Sequence, residues 1–432
     1  MTSEHNSGLS RRQYVKATGA TGAAAMTGLA GCSSVFGGGG TNPLEVAHWW
    51  TGGDGNDAIT ALFEGFKEKY PDIKVKPNPV AGGAGTNLKS KIKTQVLNGN
   101  PPSSWQIWPG EALSTYVEAD ALKDIESSVW GHNDMKNAYL PGVKEAAKPG
   151  GNFVTVPLNI HRLNNVFYNK NVVEQAGVDP TSASKPSELL EMVRTVDEET
   201  DAIGMANSTK GGWTTLQLWE TILLGEYGES VYDAVTKGNL ESNADAVKGA
   251  LELTKQFKQY FGQDSGSIGW TQANNKVIDG NAGFIHQGDW AAGMYTGTDG
   301  FEYQKDWGHA VFPGTSGKYT LVMDSFPMPK NNPSPEATKK FLRYCGSVEG
   351  QKRFNPKKGS IPPRTDVPDD AFGPFLTSQK SDFSDSSSQP GSITHGLAVE
   401  PGTLTSLKTA AKAFTSNWNV EDTYSAFVNS FQ

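Results

Sequence analysis

The stretch from residue 44 to residue 108 constrains the fold more than any other part of the chain, because short apolar segments alternate there with amphipathic ones. In the first amphipathic segment Ile59, Leu62 and Phe66 recur at helical spacing, and Pro71 ends the pattern. Alternation at these lengths predicts an α/β fold with a parallel sheet and right-handed helical crossovers. Strands are predicted over residues 44–50, 73–75 and 104–108, and helices over 57–70 and 87–97.

The turns that follow these strands are candidate sites, because ligands of open parallel sheets bind beyond the carboxyl ends of the strands. Tryptophan is costly to expose without a purpose, so indoles beside a carboxylate at consecutive strand ends indicate a binding edge. Packing of the indoles into the core is the alternative explanation. The turns hold Trp49, Trp50, Asp54, Gln106 and Trp108.

A second candidate lies in residues 269–295. Trp270 begins a predicted helix that Gly280 ends, and an apolar strand over 282–286 follows. The chain then turns through Asp289 and Trp290 into another helix. Rigid elements thus deliver an aromatic ring and a carboxylate to one turn, which is how a binding site is usually built. The alternative is a buried tryptophan that fills a junction between helix and strand.

Composition and motif searches narrow the class of function. A chain of 432 residues predicts two domains. The net charge of -8, with no cluster of Lys and Arg, argues against a nucleic-acid partner. The sequence lacks a nucleophile elbow, a phosphate-binding loop, a dinucleotide fingerprint and paired histidines at zinc-binding spacing. We therefore predict no catalytic residue, no cofactor and no metal.

The N-terminus has the pattern of an export signal. Twin arginines at 11 and 12 precede a small-residue apolar run over 17–29, which ends in Leu-Ala-Gly before Cys32. This predicts export by the twin-arginine route, a signal peptide over 1–31, and a lipid anchor on Cys32. Residues 32–42, rich in glycine, are predicted as a flexible tether between lipid and folded protein.

Two further predictions concern the C-terminal part. Cys345 lies on the apolar face of a predicted helix and is expected to be buried and inert. Residues 378–388 are rich in Ser and Asp and are predicted to form a surface loop. The sequence shows no internal repeat and no membrane span in the mature part.

A set of motifs, in order along the whole mature chain, resembles the extracellular solute-binding proteins of ABC sugar importers, and most of all their glucose-binding members. The motifs are WWTGGD at 49–54, VAGGAG at 80–85, VPLNIH at 156–161, GNAGFIHQGDW at 280–290, DSF at 324–326, NPKKGS at 355–360 and THG at 394–396.

The resemblance implies a two-lobe α/β fold of the type II periplasmic-binding-protein class, with hinged lobes and a ligand cleft between them. The N-terminal lobe would comprise 43–158 plus 327–365, and the C-terminal lobe 159–326 plus 366–432. The chain departs from the glucose-binding pattern at Trp108, where those members tend to have a histidine. By position, the implied ligand contacts are Asp54, Gln106, His161, Trp270, Trp290, Asp324, Lys358 and His395.

The resemblance further implies a monomeric receptor, tethered to the membrane at the cell surface, that passes a small sugar to a membrane permease and is not an enzyme. Glucose or a related monosaccharide is the expected ligand. Two alternatives remain open at this point. One is the same fold binding an oligosaccharide or a non-sugar solute, and the other is a glycosidase that uses Asp54 and Asp324 as its carboxylate pair.

Overall fold

The structure, a computed structural model, describes residues 42–432. The predicted signal peptide, Cys32 and all but the last residue of the tether lie outside the described residues. The strands are β1 (Leu44–His48), β2 (Val75–Pro79), β3 (Ser104–Trp105), β4 (Thr155–Pro157), β5 (His161–Arg162), β6 (Asn165–Asn169), β7 (Ile203–Ala206), β8 (Ala282–Gln287), β9 (Trp307–Val311), β10 (Leu321–Val322) and β11 (Ser325–Pro327).

The α-helices of the described part are α1 (Gly53–Lys69), α2 (Thr86–Leu97), α3 (Ser114–Glu118), α4 (Met135–Ala138), α5 (Pro141–Ala146), α6 (Lys170–Gln175), α7 (Pro186–Glu199), α8 (Trp213–Tyr227), α9 (Glu229–Thr236), α10 (Ala244–Phe257), α11 (Trp270–Ile278), α12 (Trp290–Thr296), α13 (Pro335–Cys345), α14 (Val348–Lys358), α15 (Pro374–Asp385), α16 (Pro401–Asn417) and α17 (Val420–Asn429).

The first sheet has the strand order β2-β1-β3, and both pairings are parallel. This confirms the parallel sheet predicted for residues 44–108. Helix α1 buries Ile59, Leu62 and Phe66 in one core with Leu44 of β1 and Phe341 of α13. Helix α2 buries its own apolar residues on another face of this sheet. Burial of these amphipathic stripes fixes the helices against the sheet.

The second sheet has the order β7-β8-β6-β9 and is mixed. Strand β6 runs antiparallel to β8 and β9, and β7 runs parallel to β8. Helix α8 is apolar almost all round, with Leu216, Trp219 and Ile222 in a core shared with Phe284 of β8 and Leu407 of α16. A helix with that pattern is buried between other layers rather than on a surface.

Two short antiparallel pairs join the segment between the two sheets to the segment that follows β9. Strand β4 pairs with β11, and β5 pairs with β10, so residues 155–162 run beside residues 321–327. A single bridge joins Ile160 to Ile361. These segments contain the lobe boundaries, at residues 158/159 and 326/327, that the resemblance implies.

The loop predicted for residues 378–388 is wrong over most of its length. Helix α15 runs to Asp385, because Pro374 occupies its first turn and Phe375, Leu376 and Gln379 are buried. The Ser and Asp residues form its outer face, where a polar composition is compatible with a helix. Cys345 is buried as predicted.

No helix within residues 42–432 combines the length and the apolar character needed to cross a membrane.

Candidate ligand-binding site

A buried ion pair lies at the end of the first sheet. Strand β1 ends at His48, and the chain turns through Gly53, at a φ of 56°, into α1, so that Asp54 falls in the first turn. Lys358 is the last residue of α14, and its Nζ donates to Asp54 Oδ2 at 2.5 Å. Burial raises the pKa of Asp54, and the ammonium of Lys358 opposes that rise.

Asp324 is held between two side-chain amides. Its Oδ1 accepts from Gln106 Nε2 at 2.9 Å, and its Oδ2 accepts from Asn159 Nδ2 at 3.0 Å. The backbone N–H of Asp324 donates to Asn159 Oδ1 at 2.7 Å, while Gln106 Oε1 accepts from the N–H of Trp49 at 3.0 Å. Burial raises the pKa of Asp324, and the charge of Lys358 makes the largest contribution that opposes this rise.

His161 extends the same network. Its Nδ1 is hydrogen-bonded to Asp289 Oδ1, and its Nε2 lies 3.0 Å from Asn159 Nδ2. These partners assign the Nδ1–H tautomer, in which Nε2 accepts from the amide. Burial lowers the pKa of His161, and the nearby Lys358 and His395 add to the effect. Asp289 Oδ2 accepts from the N–H of Arg162 at 3.1 Å, which fixes the turn before α12.

The indole of Trp290 covers this polar group. Its centroid lies 5.3 Å from the ring of His161, 5.2 Å from that of His395 and 5.8 Å from Lys358 Nζ. Its Nε1 donates to Gln287 Oε1 at 2.8 Å, so the ring orientation is fixed by its own helix–strand turn. The partly buried Trp270 packs against a small apolar cluster that contains Trp290.

His395 is surrounded by aromatic rings. Its centroid lies 5.4 Å from Trp108, 6.1 Å from Trp213 and 5.2 Å from Trp290. Its Nδ1 is 3.1 Å from Ser392 Oγ. Burial lowers the pKa of His395 well below its usual value, with nearby lysines adding to the effect.

Trp49 and Trp108 form the remaining edge of the site. Their rings meet edge to face at 5.7 Å, and Lys89 Nζ lies 3.2 Å from the Trp108 centroid. The ammonium of Lys89 thus occupies the face of Trp108. Whether Trp108 also meets a ligand stays a prediction.

Trp50 is buried in the core of the first sheet. Its ring lies 6.1 Å from Phe326 and 5.0 Å from Phe354. Gly55 makes room for it, since a Cβ there would lie 2.5 Å from Trp50 Cδ1. The structure gives Trp50 the packing role that the sequence left as an alternative.

Four polar residues near the site were missed by the sequence reading. Asn159 lay inside a quoted motif, and Glu220 is a lone carboxylate in the apolar run of α8, which is a usable signal for a buried charge. Nothing in the sequence distinguished Lys89 and Lys408 from surface lysines.

The site is enclosed by direct contact between its two sides. A Cβ on Gly293 of α12 would lie 2.8 Å from Asp54 Cβ and 3.0 Å from the N of Gly359. On the opposite flank, a Cβ on Gly83 would lie 2.8 Å from Trp213 Nε1. The arrangement thus places hydrogen-bonding groups beside aromatic faces, which suits a ligand that has both polar and apolar parts.

Residues 52–352 match the family model of bacterial extracellular solute-binding proteins. The xylose/arabinose-binding protein XacG of Haloferax volcanii is 38% identical over 387 residues, covering 89% of this chain and 83% of that protein. An uncharacterized ABC transporter extracellular-binding protein of Pyrococcus horikoshii is 32% identical, covering 90% and 87%.

Solved structures with this fold include the bacterial solute receptor AcbH, with a TM-score of 0.77 and 17% identity over 91% of this chain and 98% of that one. A chitin oligosaccharide binding protein gives a TM-score of 0.78 and 15% identity, covering 90% and 98%. The structure therefore has the two-lobe fold of periplasmic solute-binding proteins. The family model and these relatives describe solute-binding proteins, so the chain is a binding protein and not the glycosidase of the open alternative. The family match spans most of the chain and the relatives cover nearly all of it: the protein belongs to the bacterial extracellular solute-binding proteins.

Proposed function

We propose that the protein binds a sugar between its two lobes and delivers it to the permease of an ABC importer. The site itself carries this proposal, because the Asp54–Lys358 ion pair lies beside the indole of Trp290, and Asp324 shares a hydrogen-bonded network with His161, whose ring also contacts that indole. A sugar ring has apolar C–H faces and a girdle of hydroxyls. Each hydrogen bond to a charged group contributes about 1.5–3 kcal/mol, so a few of them plus stacking supply the roughly 8 kcal/mol of micromolar binding.

The names of relatives support a monosaccharide as the ligand. XacG is named for xylose and arabinose, and GlcS of Saccharolobus solfataricus, 25% identical over 254 residues, is named for glucose. Glucose and the related aldoses, pentoses included, are therefore the ligands that we propose to test first.

The proposed lobes are residues 43–158 plus 327–365, and 159–326 plus 366–432. The pairing of β4 with β11 and of β5 with β10 supports crossings near residues 158 and 327. The twin arginines and the residues before Cys32 support export in the folded state and a lipid anchor at the cell surface. We propose a monomer.

Titration calorimetry tests the proposal. Purified protein lacking residues 1–31 is titrated with glucose, galactose, mannose, xylose, arabinose and short oligosaccharides. Saturable one-to-one binding of a monosaccharide is expected. Binding of oligosaccharides alone would show that the ligand is not a monosaccharide. Stabilisation only by a polyamine, an iron chelate or phosphate in a thermal-shift screen would show that the ligand is not a sugar.

A further inference from the structure

Two lysines converge on one indole at the edge of the site. Lys89 Nζ lies 3.2 Å from the centroid of Trp108, and Lys408 Nζ lies 5.0 Å from the same centroid. Lys89 is also 5.5 Å from the ring of Trp49. Both lysines are half-buried. The ring of His395 closes this group at 5.4 Å from Trp108.

The lysines come from opposite sides of the site. Lys89 follows Leu88 on α2, and Leu88 is buried in the core of the first sheet with Ala47 of β1. Lys408 follows Leu407 on α16, and Leu407 is buried in the core of the second sheet with Phe284 of β8. A ligand group that touches both ammonium groups would therefore touch both sides at once.

Within residues 42–432, neither ammonium has a hydrogen bond or an ion pair to a protein group. The two carboxylates that interact electrostatically with these lysines, Asp324 and Glu220, are already hydrogen-bonded to other groups. Asp324 accepts from Gln106 and Asn159. The oxygens of Glu220 accept from Ser392 Oγ at 2.8 Å, Ile393 N at 2.6 Å and Tyr232 Oη at 3.1 Å.

Enclosing two ammonium groups without an anion is unfavourable. Burial lowers the pKa of Lys89 well below its usual value, with the nearby Lys408 adding to the effect, and lowers the pKa of Lys408 to about 7. A cation over an indole recovers only part of the lost hydration. A single anion between the two lysines would offset both the desolvation and their mutual repulsion.

We propose that the sugar bound here carries an anionic group, a carboxylate or a phosphate, which Lys89 and Lys408 bind together at the Trp108 end of the site. This inference rests on the proposed sugar-binding function. The neutral part of the sugar would contact Trp290 and the Asp54–Lys358 pair. Because the lysines lie on opposite sides, the anion would also stabilise the enclosed form over an open one.

The test compares each acid with its neutral parent by calorimetry at low salt: glucuronate with glucose, galacturonate with galactose, and glucose 6-phosphate with glucose. Inorganic phosphate and acetate serve as anions without a sugar. The variants are Lys89→Gln and Lys408→Gln. Their matched controls, on the same two helices and exposed, are Lys93→Gln and Lys412→Gln.

The readout is the ratio of the affinity for the acid to that for its parent. We expect a ratio of about ten or more in the wild type and in both controls, falling towards one in the Lys89 and Lys408 variants. A preference for the uronates would show that the anionic group of the ligand is a carboxylate. A preference for glucose 6-phosphate would show that it is a phosphate. Binding of neutral sugars with no preference for any acid would overturn the inference and leave the proposed function intact.

Two further outcomes also decide the matter. If inorganic phosphate or acetate binds as tightly as the sugar acids, the lysines hold an adventitious ion only and the inference is wrong. If no sugar of either kind binds, the proposed function and the inference fall together.

Discussion

Asp324, unlike Asp54, has no positively charged partner in direct contact, since both its oxygens accept from neutral amides. It therefore has the capacity to accept from two neighbouring hydroxyls of a sugar. We predict that Asp324→Ala weakens sugar binding roughly ten- to a hundredfold, the loss of one or two charge-assisted hydrogen bonds. Calorimetry with the best neutral sugar measures this.

The matched control for that variant is Asp299→Ala, which removes an exposed carboxylate. It should bind with wild-type affinity. Circular dichroism and thermal melting show whether either variant has lost structure. An Asp324→Ala protein that melts normally and binds normally would remove Asp324 from the site.

The Asp54–Lys358 pair makes a separate prediction about stability. Both side chains are almost wholly buried, at 2% and 6% exposure. Lys358→Met leaves the carboxylate of Asp54 without its partner, which should lower the free energy of unfolding by about 3–5 kcal/mol. Adding Asp54→Asn should restore much of that loss, because no uncompensated charge then remains. Denaturant unfolding of the two single variants and the double variant measures the coupling.

The surface pair Lys339–Glu336, at 2.6 Å, in which Glu336 is exposed, supplies the control. Lys339→Met should change the free energy of unfolding far less than Lys358→Met does. If Lys358→Met lowers the free energy of unfolding no more than Lys339→Met does, the Asp54–Lys358 ion pair does not stabilise the folded protein.

For individual residues, the sequence predicted which side chains have binding chemistry better than it predicted where those side chains point. Trp49 and Trp50 are neighbours, but Trp49 faces the site while Trp50 packs on Phe326 and Phe354. Gly55, whose absent Cβ admits the Trp50 ring, was visible in the sequence but its packing partner was not. Lys89 and Lys408 could not be found because their proximity depends on two helices that are more than 300 residues apart.

Among the elements, α12 connects the two sides of the site next to Asp54. Its Gly293 lies against Asp54 and the backbone of residues 357–359, and a Cβ there would approach the O of Lys357 to 2.8 Å. Backbone atoms cannot move aside as a flexible side chain would. We predict that Gly293→Ala holds α12 away from α1 and α14, so that sugar affinity falls about tenfold or more.

Gly402→Ala is the control, since a Cβ at this helical position meets no atom within 4 Å. Alanine favours a helix by about 1 kcal/mol over glycine, so both variants should remain folded. Small-angle scattering should show compaction on sugar addition for Gly402→Ala and less compaction for Gly293→Ala. Equal affinity and equal compaction would show that α12 tolerates the added methyl group.

Elements with strong local patterns were predictable and those defined by distant partners were not. The alternation over 44–108 predicted the parallel sheet, because amphipathic helices of that length must cross over it. Strands β5 and β10 have two residues each and exist only because they pair with each other. Helix α15 was mistaken for a loop, since its Ser and Asp residues hide a short buried stripe.

At the scale of the whole molecule, one hydrogen-bonded network joins segments that are far apart in the chain. It runs from Trp49 through Gln106, Asp324 and Asn159 to His161 and Asp289. Pattern reasoning could list most of these residues, because their motifs occur in a known order. It could not say which were bonded to one another, since that depends on how the two cores are packed together.

The stability of the whole protein should depend on pH through Glu220, a fully buried carboxyl of α8. Burial raises its pKa to about 7, against 4.5 in its ordinary state, while donors from Ser392, Thr394 and Ile393 oppose the rise. Between pH 4.5 and 7 the folded protein therefore binds more protons at this group than the unfolded chain does. Its contribution to stability must fall as pH rises through that window, by up to about 3 kcal/mol.

Glu220→Gln removes this titration, although its amide fits the donors of residues 392–394 less well at every pH. We therefore predict that the difference in unfolding free energy between wild type and Glu220→Gln shrinks from pH 5 to pH 7.5, as the wild type alone incurs the cost of ionisation. Glu226→Gln, an exposed position on the same helix, should show a difference that does not vary with pH in this way. Denaturant unfolding at both pH values decides the point: parallel curves for Glu220→Gln and wild type would mean that the carboxyl titrates normally in the fold.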